Sequence, residues 1–329
     1  MTPQELFQDF KKRKVLVLGD VMVDAYLEGN VNRVSPEAPV PIVSFTAREE
    51  RLGGAANVAL NLISLGAEVS MCSVIGDDEN AKTMLRLMSK RNIASNGIVN
   101  SKTRMTTVKT RVIGNQQQLL RVDEEQTDDI SSKEEDLLIT SVEEVLKEGC
   151  DAIIFEDYNK GVLTEKVITE VIKLSKEYDV PTTVDPKLKN FLAYKGVTLF
   201  KPNLKELKEG LNRTFDVNDN SMFEGAVDEL SSLIRAEMLL VTMSEHGVYM
   251  QTNSSKDYVP AHVRNIADVS GAGDTVISVA TLCLAAGISP KSIAEIANLA
   301  GGIVCEKRGV VAIDSAQLLN EVEKLNIQC

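Results

Sequence analysis

The sequence predicts an α/β protein with a doubly wound, mostly parallel sheet and a small second β-sheet. Apolar runs of strand length alternate with helical segments along most of the 329 residues. Polar residues follow several predicted strands, at the edge where such sheets bind ligands. Two proline-bearing or alternating segments, about 29–48 and 102–123, contain no helix between their halves and predict the second sheet.

The first half of the chain supplies two strand–helix pairs. "KVLVLGD" (14–20) is a continuous apolar run, as expected for a strand that is buried on both faces. "GGAANVALNLISLGA" (53–67) predicts a helix that ends near Gly66. "EVSMCSVIGDD" predicts the next strand and "ENAKTMLRLMSKRNI" the next helix.

The alternation resumes after residue 130. "SSKEEDLLITSVEEVLKEG" begins with a Ser-x-x-Glu capping pattern and predicts a helix, and "CDAIIFEDY" predicts a strand. A helix, two strands, a helix and two strands follow, in "TEKVITEVIKLSKEYD", "VPTTVDPK", "VTLFKPN", "LKELKEGL" and "EMLLVTMSEHGVYMQT".

The two irregular segments predict a lid. "VIGNQQQLLRV" has the pattern of a hairpin that turns at Gly114-Asn115. The sequence contains no internal repeat, low-complexity segment or long linker. We therefore expect a single domain over residues 1–329, with a β-lid formed by the segments 29–48 and 102–123.

Charge and composition exclude several classes. The chain has 36 Lys and Arg against 48 Asp and Glu, a net charge of −12, which disfavours nucleic acid as a partner. Its five cysteines contain no CxxC pair and are typical of reduced core residues. We expect no signal peptide, no membrane-spanning segment and a cytoplasmic location.

The stretch "DVSGAGDTV" carries the most specific chemistry. Gly271, Ala272 and Gly273 predict a turn at a helix start, where free amides and the helix dipole favour an anion. Asp274 beside such a hole suits phosphoryl transfer, because a carboxylate there can accept the proton of an acceptor hydroxyl. The alternatives are a tight helix start for the glycines and a helix cap for Asp274.

The sequence resembles the ribokinase-like (PfkB) sugar kinases. "DVSGAGD" (268–274) is similar to their second signature, with Ser270 where many members have threonine, and "RLGGAANVALNLISLGAEV" is similar to their first. The resemblance extends from residue 14 to about 313. Within the family it is strongest to the heptose 7-phosphate kinases, in "GDVMVDAY", "VNRVSPEAPVPIV", "KTRVIGNQQQLLRVD", "EDYNKGVLT", "FKPNLKE" and "TMSEHGV".

This resemblance implies roles for individual residues. Asp274 would be the general base, and Gly271, Ala272 and Gly273 would form the anion hole. The implied sugar-binding residues are Asp20, Asp24, Arg33, Gly53, Gly54, Asn57, Gln118, Asp157 and Asp185. The implied nucleotide-binding residues are Asn203, Glu206, Thr242, Ser244, Gly247, Asn298 and again Gly271 and Gly273. Glu206 would also organise Mg²⁺, through water.

An acidic chain that binds a phosphorylated sugar must supply its cations locally. Lys109 and Arg111 are two residues apart, so on a strand they share one face. Further candidates for contacting the sugar phosphate are Arg121, Lys160 and Lys187. Solvated surface charges, or structural ion pairs in "EDYNKG" and "VDPK", are the alternatives.

The resemblance implies ATP and Mg²⁺ as cofactors and a heptose 7-phosphate as substrate, phosphorylated at O1 to give the 1,7-bisphosphate for ADP-heptose and lipopolysaccharide core synthesis. Neither His246 nor His262 fits the His-x-Gly-His signature of the nucleotidyltransferase that two-domain relatives add, so we expect a kinase-only chain. The exposed apolar "APVPIV" favours a homodimer.

Three other functions remain to be weighed. Another sugar kinase of the family, acting on ribose or a fructose phosphate, is the nearest. A catalytically silent sugar- or nucleotide-binding module is disfavoured by the intact Gly-Ala-Gly-Asp turn. A nicotinamide dehydrogenase would need Gly-x-Gly-x-x-Gly after the first strand, where "LGDVMVDAY" stands instead.

Overall fold

The computed structural model describes all 329 residues, which form ten helices and thirteen strands in two sheets. The strands are β1 (Lys14–Gly19), β2 (Val21–Val34), β3 (Pro41–Gly54), β4 (Glu68–Gly76), β5 (Ala94–Ser101), β6 (Val108–Gly114), β7 (Gln117–Glu124), β8 (Ala152–Glu156), β9 (Thr182–Asp185), β10 (Leu199–Phe200), β11 (Met238–Thr242), β12 (Val248–Thr252) and β13 (Lys256–Val259). The helices are α1 (Pro3–Phe10), α2 (Ala55–Ser64), α3 (Glu79–Lys90), α4 (Ser132–Glu148), α5 (Glu165–Glu177), α6 (Leu204–Gly210), α7 (Asn220–Ile234), α8 (Ala272–Ala285), α9 (Pro290–Cys305) and α10 (Ser315–Lys324).

Nine strands form the central sheet, in the order β13-β12-β11-β10-β9-β8-β1-β4-β5. All of its pairings are parallel except those of β12 with β11 and β13, which are antiparallel. The predicted mostly parallel sheet is therefore confirmed. Its carboxyl edge brings together the ends of β1, β8 and β9, because these neighbouring strands run in the same direction.

Helices cover both faces of this sheet. Alternate side chains of β1 point into different cores: Val15 and Val17 belong to a cluster of 47 buried apolar residues, Leu16 and Leu18 to one of 33. The larger cluster includes residues of α1, α2, α3, α8, α9 and α10, and the smaller one residues of α4, α5 and α7. The continuous apolar run in "KVLVLG" predicted such a strand, with both faces buried.

Four strands form the separate second sheet, in the order β3-β2-β6-β7; we call it the lid sheet. It contains most of the two predicted lid segments, but β2 and β3 are longer than predicted, at fourteen residues each. The predicted hairpin is confirmed, but its turn lies one residue later than predicted: Gly114 ends β6, and Asn115 and Gln116, both with positive φ, join it to β7.

The predicted start of the second helix is wrong by two residues, because Gly53 and Gly54 close β3 and the helix begins at Ala55. Gly54 has φ +58°, and a Cβ on it would lie 2.4 Å from the carbonyl oxygen of Asp20. That oxygen accepts a hydrogen bond from the Ala55 amide. The glycine pair thus lets the lid sheet meet the end of β1 and turn into α2.

Several elements have no counterpart in the sequence analysis, among them α1, β5, α7, β13 and α10. β5 reads "ASNGIVNS", which has few apolar residues, as expected at the edge of the sheet, where five of its eight residues are not buried. None of the ten helices is long and apolar enough to cross a membrane.

Candidate active site

The start of α8 faces the carboxyl edge of the central sheet. Gly271 is its N-cap residue and has φ +79°, a conformation that favours glycine. A Cβ on Gly273 would lie 3.4 Å from Oδ2 of Asp185 and 3.7 Å from Nζ of Lys201. The first-turn amides of a helix have no acceptor within the helix. This turn therefore offers amide donors and a lysine ammonium group to an anion.

Asp274 lies in the first turn of α8 and is buried. Its Oδ2 accepts a 2.5 Å hydrogen bond from Nδ2 of Asn57, on α2, and its Oδ1 accepts a 2.9 Å bond from the hydroxyl of Tyr158, which follows β8. The two donors fix the plane of the carboxylate. Burial raises the pKa of Asp274, more than these donors lower it.

Two more carboxylates and two lysines adjoin Asp274. Glu156 ends β8 and Asp185 ends β9, in register with each other, and both are buried. Nζ of Lys201 lies 2.8 Å from Asp185, and Nζ of Lys187 lies 3.7 Å from it. Burial alone would raise the pKa of Asp185, but the two ammonium groups outweigh it and lower that pKa. Burial, with Asp185 and Asp274 nearby, raises the pKa of Glu156 well above its usual range.

Asp20, at the end of β1, is engaged with backbone. Its Oδ2 accepts hydrogen bonds from the amides of Tyr158 and Lys160, and its Oδ1 from the amide of Val162, at 2.9, 3.0 and 3.1 Å. The side chain is buried. In this structure Asp20 anchors the segment that carries Tyr158, and its sugar-binding role stays a prediction.

One face of the lid sheet collects charged residues. Asp24 pairs in register with Lys109 on one side and Arg51 on the other, so these three side chains share a face. The carboxylate of Asp24 forms an ion pair with Arg111 and lies against Gly53, where an added Cβ would be 2.3 Å from Oδ2. The guanidinium carbons of Arg51 and Arg111 lie 4.9 and 5.3 Å from the ring centre of Tyr26.

The predicted lid cations are therefore gathered on one face, but each is paired. Arg121 lies directly opposite Arg111 across the β6–β7 pair and bonds to Asp123. Lys109 contacts Asp123 and Glu125, and Lys160 contacts Glu125 at 2.8 Å. Asp24 and Asp123 each compensate one of the two facing arginines, so the contact of these cations with a phosphate stays a prediction.

Three predicted sugar-binding residues lie away from this cluster or are enclosed. Arg33 and Gln118 are exposed on the lid sheet and make no side-chain hydrogen bond. Asp157 is buried and accepts hydrogen bonds from the hydroxyl of Tyr194 and the amide of Asn159. Burial, helped by Asp20, raises the pKa of Asp157 to about 6.

The predicted nucleotide-side residues lie at the ends of β10 and β11. Asn203 and Glu206 form a capping box at the start of α6, and Oε1 of Glu206 also lies 2.6 Å from Nζ of Lys187. Thr242 ends β11, and the short turn that follows contains Ser244 and Gly247, both with positive φ. Nδ2 of Asn298, on α9, donates to the carbonyl oxygen of Pro260.

The sequence analysis missed Tyr26, Arg51, Glu156, Tyr158 and Lys201. Tyr158 and Glu156 stand within "FEDYNKG", which was assessed only for its aspartate and lysine. Arg51 directly precedes the predicted glycine-rich helix, and no pattern distinguished it from a surface arginine. Lys201 precedes "PN" after a buried strand, a position at the carboxyl edge that the strand rule could have identified.

Comparison with known proteins agrees with this geometry. The family model for pfkB family carbohydrate kinases matches residues 12–316. The chain is 39% identical over 309 residues to a "Bifunctional protein HldE" from Methylobacillus flagellatus, covering 94% of this chain and 63% of the relative. A protein of the same name from Helicobacter acinonychis is 40% identical over 297 residues, covering 90% of this chain and 64% of the relative. This chain thus spans less than two thirds of the length of these relatives.

Solved structures show the same fold. A tetrameric inhibited form of phosphofructokinase-2 from Escherichia coli superposes with a TM-score of 0.77 at 18% identity, covering 94% of this chain and 99% of that one. Arabidopsis thaliana ribokinase complexed with ribose and ATP superposes with a TM-score of 0.71 at 15% identity, covering 93% and 98%. The fold and the family match are those of a sugar kinase. The chain belongs to the pfkB family of carbohydrate kinases, as the sequence predicted.

Proposed function

We propose that this protein transfers the γ-phosphoryl group of ATP to O1 of D-glycero-D-manno-heptose 7-phosphate. The product would be the 1,7-bisphosphate, an intermediate of ADP-heptose and lipopolysaccharide core synthesis. The observation that carries the kinase step is the position of Asp274, a buried carboxylate held by Asn57 and Tyr158 in the first turn of α8. The similarity to proteins named HldE supports the choice of a heptose phosphate.

Asp274 is the proposed general base. As O1 of the sugar attacks the γ-phosphorus, the bond from that phosphorus to the β–γ bridging oxygen breaks and ADP leaves with the bond's electrons. The O1 proton passes to the carboxylate of Asp274. Burial supports this role, because it raises the pKa of Asp274 and so makes the ionised carboxylate a stronger base.

The turn at Gly271–Gly273 is the proposed anion hole. Amides of the first turn of α8 would donate to the transferring phosphoryl oxygens, with the ammonium group of Lys201 close to Gly273. Mg²⁺ bound with ATP would screen the phosphate charges. On the nucleotide side we keep Asn203, Glu206, Thr242, Ser244, Gly247 and Asn298 as the predicted contacts.

The charged face of the lid sheet is the proposed site for the sugar's 7-phosphate. A phosphate that enters between Arg111 and Arg121 would replace Asp24 and Asp123 as the counter-charges of the two arginines. Asp24 lies on this face against Gly53, Gly54 leads into α2, and Asn57 on α2 contacts Asp274; the sugar hydroxyls would lie along these residues. Lid closure over the sugar would exclude water and limit ATP hydrolysis.

Two assays test the proposal. In the first, purified protein is given ATP, Mg²⁺ and a panel of sugars, and the highest kcat/KM is expected for the heptose 7-phosphate; a higher value for ribose, fructose or a fructose phosphate would favour another kinase of the family. In the second, Asp274→Asn should bind both substrates with affinities near wild type but lose kcat by about 10³-fold or more. Unchanged turnover would refute the base assignment.

We also propose a homodimer through the opposite face of the lid sheet. Phe45, Leu120 and Val122 share that face and are 66%, 50% and 48% exposed. Burial of such a patch is the usual reason for self-association. Phe45→Ser should shift the mass measured by light scattering from dimer toward monomer. The control Leu188→Ser, at a residue 52% exposed outside the lid sheet, should leave that mass unchanged.

A further inference from the structure

Asn61 is a fully buried polar residue on α2 that the proposed phosphoryl transfer does not use. It lies one helical turn beyond Asn57, so the two side chains share a face of the helix. Asn57 donates to Asp274, and Asn61 accepts a 3.0 Å hydrogen bond from the hydroxyl of Thr275, the residue next to Asp274. Two neighbouring polar contacts thus join α2 to the first turn of α8.

The hydrogen bonds of Asn61 determine which way its side-chain amide points. Its Oδ1 accepts from the amide of Ile313 at 3.0 Å as well as from Thr275, and a backbone amide can only donate. Its Nδ2 donates at 3.0 Å to the carbonyl oxygen of Asn57. Asn61 therefore contacts α2, α8 and the segment before α10, and the flipped orientation of its amide would not satisfy these contacts.

The segment that contains Ile313 supports the glycine turn at the start of α8. Val310 packs against Gly271, where an added Cβ would lie 3.0 Å from Cγ1 of Val310. The hydroxyl of Ser64, on α2, donates to the carbonyl oxygen of Ile313, so both backbone polar groups of Ile313 are bound to α2. Asn61 thus holds in place both the first turn of α8 and the segment that packs against its glycine turn.

Apolar contacts constrain the position of α8 along α2 less strictly than a hydrogen bond does. Residues 274–283 of α8 are all buried, and most of them are apolar. A shift of one helix along the other would break the hydrogen bond between the fully buried side chains of Asn61 and Thr275, and buried polar contacts of this kind fix the register of packed helices. Ser278 supplies no comparable link, because its hydroxyl donates at 2.6 Å to a carbonyl oxygen of its own helix and lies 3.3 Å from that of Val58.

We propose that Asn61 and Thr275 are positioning residues of the phosphoryl transfer. Their hydrogen bond fixes the position of α8 along α2, and this position brings Nδ2 of Asn57 to Oδ2 of Asp274. The effect on turnover rests on the proposed kinase function, but the effect on the contact between Asn57 and Asp274 does not. The alternative is a purely structural pair, whose loss would lower the Tm without changing the kcat of the folded enzyme.

Thr275→Val is the first test, because valine has nearly the shape of threonine but no hydroxyl. Asn61 still accepts from the amide of Ile313, so the substitution leaves the buried asparagine partnered. In the kinase assay with heptose 7-phosphate, kcat should fall about tenfold because the carboxylate of Asp274 loses its orientation. KM for ATP should stay within about threefold of wild type, since most of the predicted nucleotide contacts lie outside α2 and α8.

Thr281→Val is the matched control. Thr281 lies on the same helix and is equally buried, and its hydroxyl oxygen is 2.7 Å from that of Thr183 on β9, so this variant also loses a buried hydrogen bond. It lies about two helical turns beyond Asp274, and its kcat should stay within about twofold of wild type. Circular dichroism at the assay temperature shows that both variants are folded. An unchanged kcat in Thr275→Val, or equal losses in the two variants, would overturn the proposal.

Asn61→Ala tests whether the two side chains act as one unit. If they do, Asn61→Ala combined with Thr275→Val should lower kcat no more than about threefold beyond Asn61→Ala alone. Losses that multiply would show two independent roles and would contradict the proposed pairing. Should Asn61→Ala fold poorly, the comparison of Thr275→Val with Thr281→Val still decides.

A crystal structure of Thr275→Val without substrates supplies a readout that needs no activity. Nδ2 of Asn57 should lie more than about 3.5 Å from Oδ2 of Asp274, beyond hydrogen-bond distance, where the wild type has 2.5 Å. An unchanged contact would refute the positioning role even if kcat fell. If the wild type phosphorylates no sugar, the proposed function fails, whereas this crystal structure still tests how Asn61 and Thr275 position Asp274.

Discussion

The hydroxyl of Tyr158 donates a 2.9 Å hydrogen bond to Oδ1 of Asp274, which lies 116 residues further along the chain. Tyr158 follows the end of β8, and its segment is held in place by the three amide hydrogen bonds to Asp20. Burial, with Asp274 and Glu156 nearby, raises the pKa of the phenol well above its usual range, so the hydroxyl stays protonated as a donor.

Tyr158→Phe should lower kcat by about 10–100-fold with little change in KM for either substrate, because one hydrogen bond that orients the carboxylate of Asp274 is lost. Steady-state kinetics of the kinase reaction measures this. The control is Tyr178→Phe, since Tyr178 bonds to Glu143 at 3.5 Å and neither is a proposed site residue. Equal effects of the two changes would contradict the positioning role of Tyr158.

Arg51→Gln should raise KM for the sugar phosphate by about tenfold while KM for ATP stays constant, because the charged face of the lid sheet, the proposed site of the 7-phosphate, loses one of its cations. Arg48 is a matched control on the same strand: three residues away, it points to the other face and pairs with Glu50. Arg48→Gln should leave both KM values unchanged. A raised KM for ATP in Arg51→Gln would place the arginine on the nucleotide side instead.

Asp20→Ala should lower the free energy of unfolding by about 3–5 kcal/mol, because the amides of Tyr158, Lys160 and Val162 lose their shared acceptor. Urea denaturation followed by circular dichroism measures it. Asp216→Ala is the control: Asp216 also accepts a backbone hydrogen bond, from Asn218, but in an exposed turn, and a loss of about 1 kcal/mol or less is expected. A similar small loss for Asp20→Ala would show that its carboxylate is not a structural anchor.

Asp157→Asn should stabilise the protein at neutral pH. The folded-state pKa of Asp157, about 6, lies above the value of about 3.9 in an unfolded chain, so the folded state binds the proton more tightly. The stability that follows from this is present below pH 4 and is lost as the pH rises through 6. The substitution should therefore raise the free energy of unfolding by on the order of 2–3 kcal/mol at pH 8 and about half as much at pH 5.

Urea denaturation of wild type and Asp157→Asn at both pH values checks this prediction. Asparagine keeps an oxygen that accepts from the amide of Asn159, and the hydroxyl of Tyr194 can accept from its amide group. An increase that does not depend on pH would mean that the ionisation of Asp157 is not its cause.

The sequence predicted the central sheet well because each buried strand carries its own signal. "KVLVLG" and "AIIFE" each carry a single charged residue at one end and are otherwise apolar, because helices cover both faces of these strands. The lid strands β2 and β3 were predicted too short. The missed start of β2 packs into the larger core through Val21, Val23 and Ala25, and β3 ends in the glycine pair that the pattern assigned to the following helix. β5 and β13, at the two edges of the sheet, carry too few buried side chains to be recognised.

By itself the sequence determined the layered fold, the glycine turn before α8 and the carboxylate of Asp274 in that helix's first turn, because each depends on residues that are adjacent along the chain. The tertiary structure alone decided the partners of these residues. Asn57 and Tyr158 meet Asp274 across 217 and 116 positions, and Glu156 has no counter-charge of its own. Such relations depend on distance in space and on loss of solvent, which no local pattern of residues encodes.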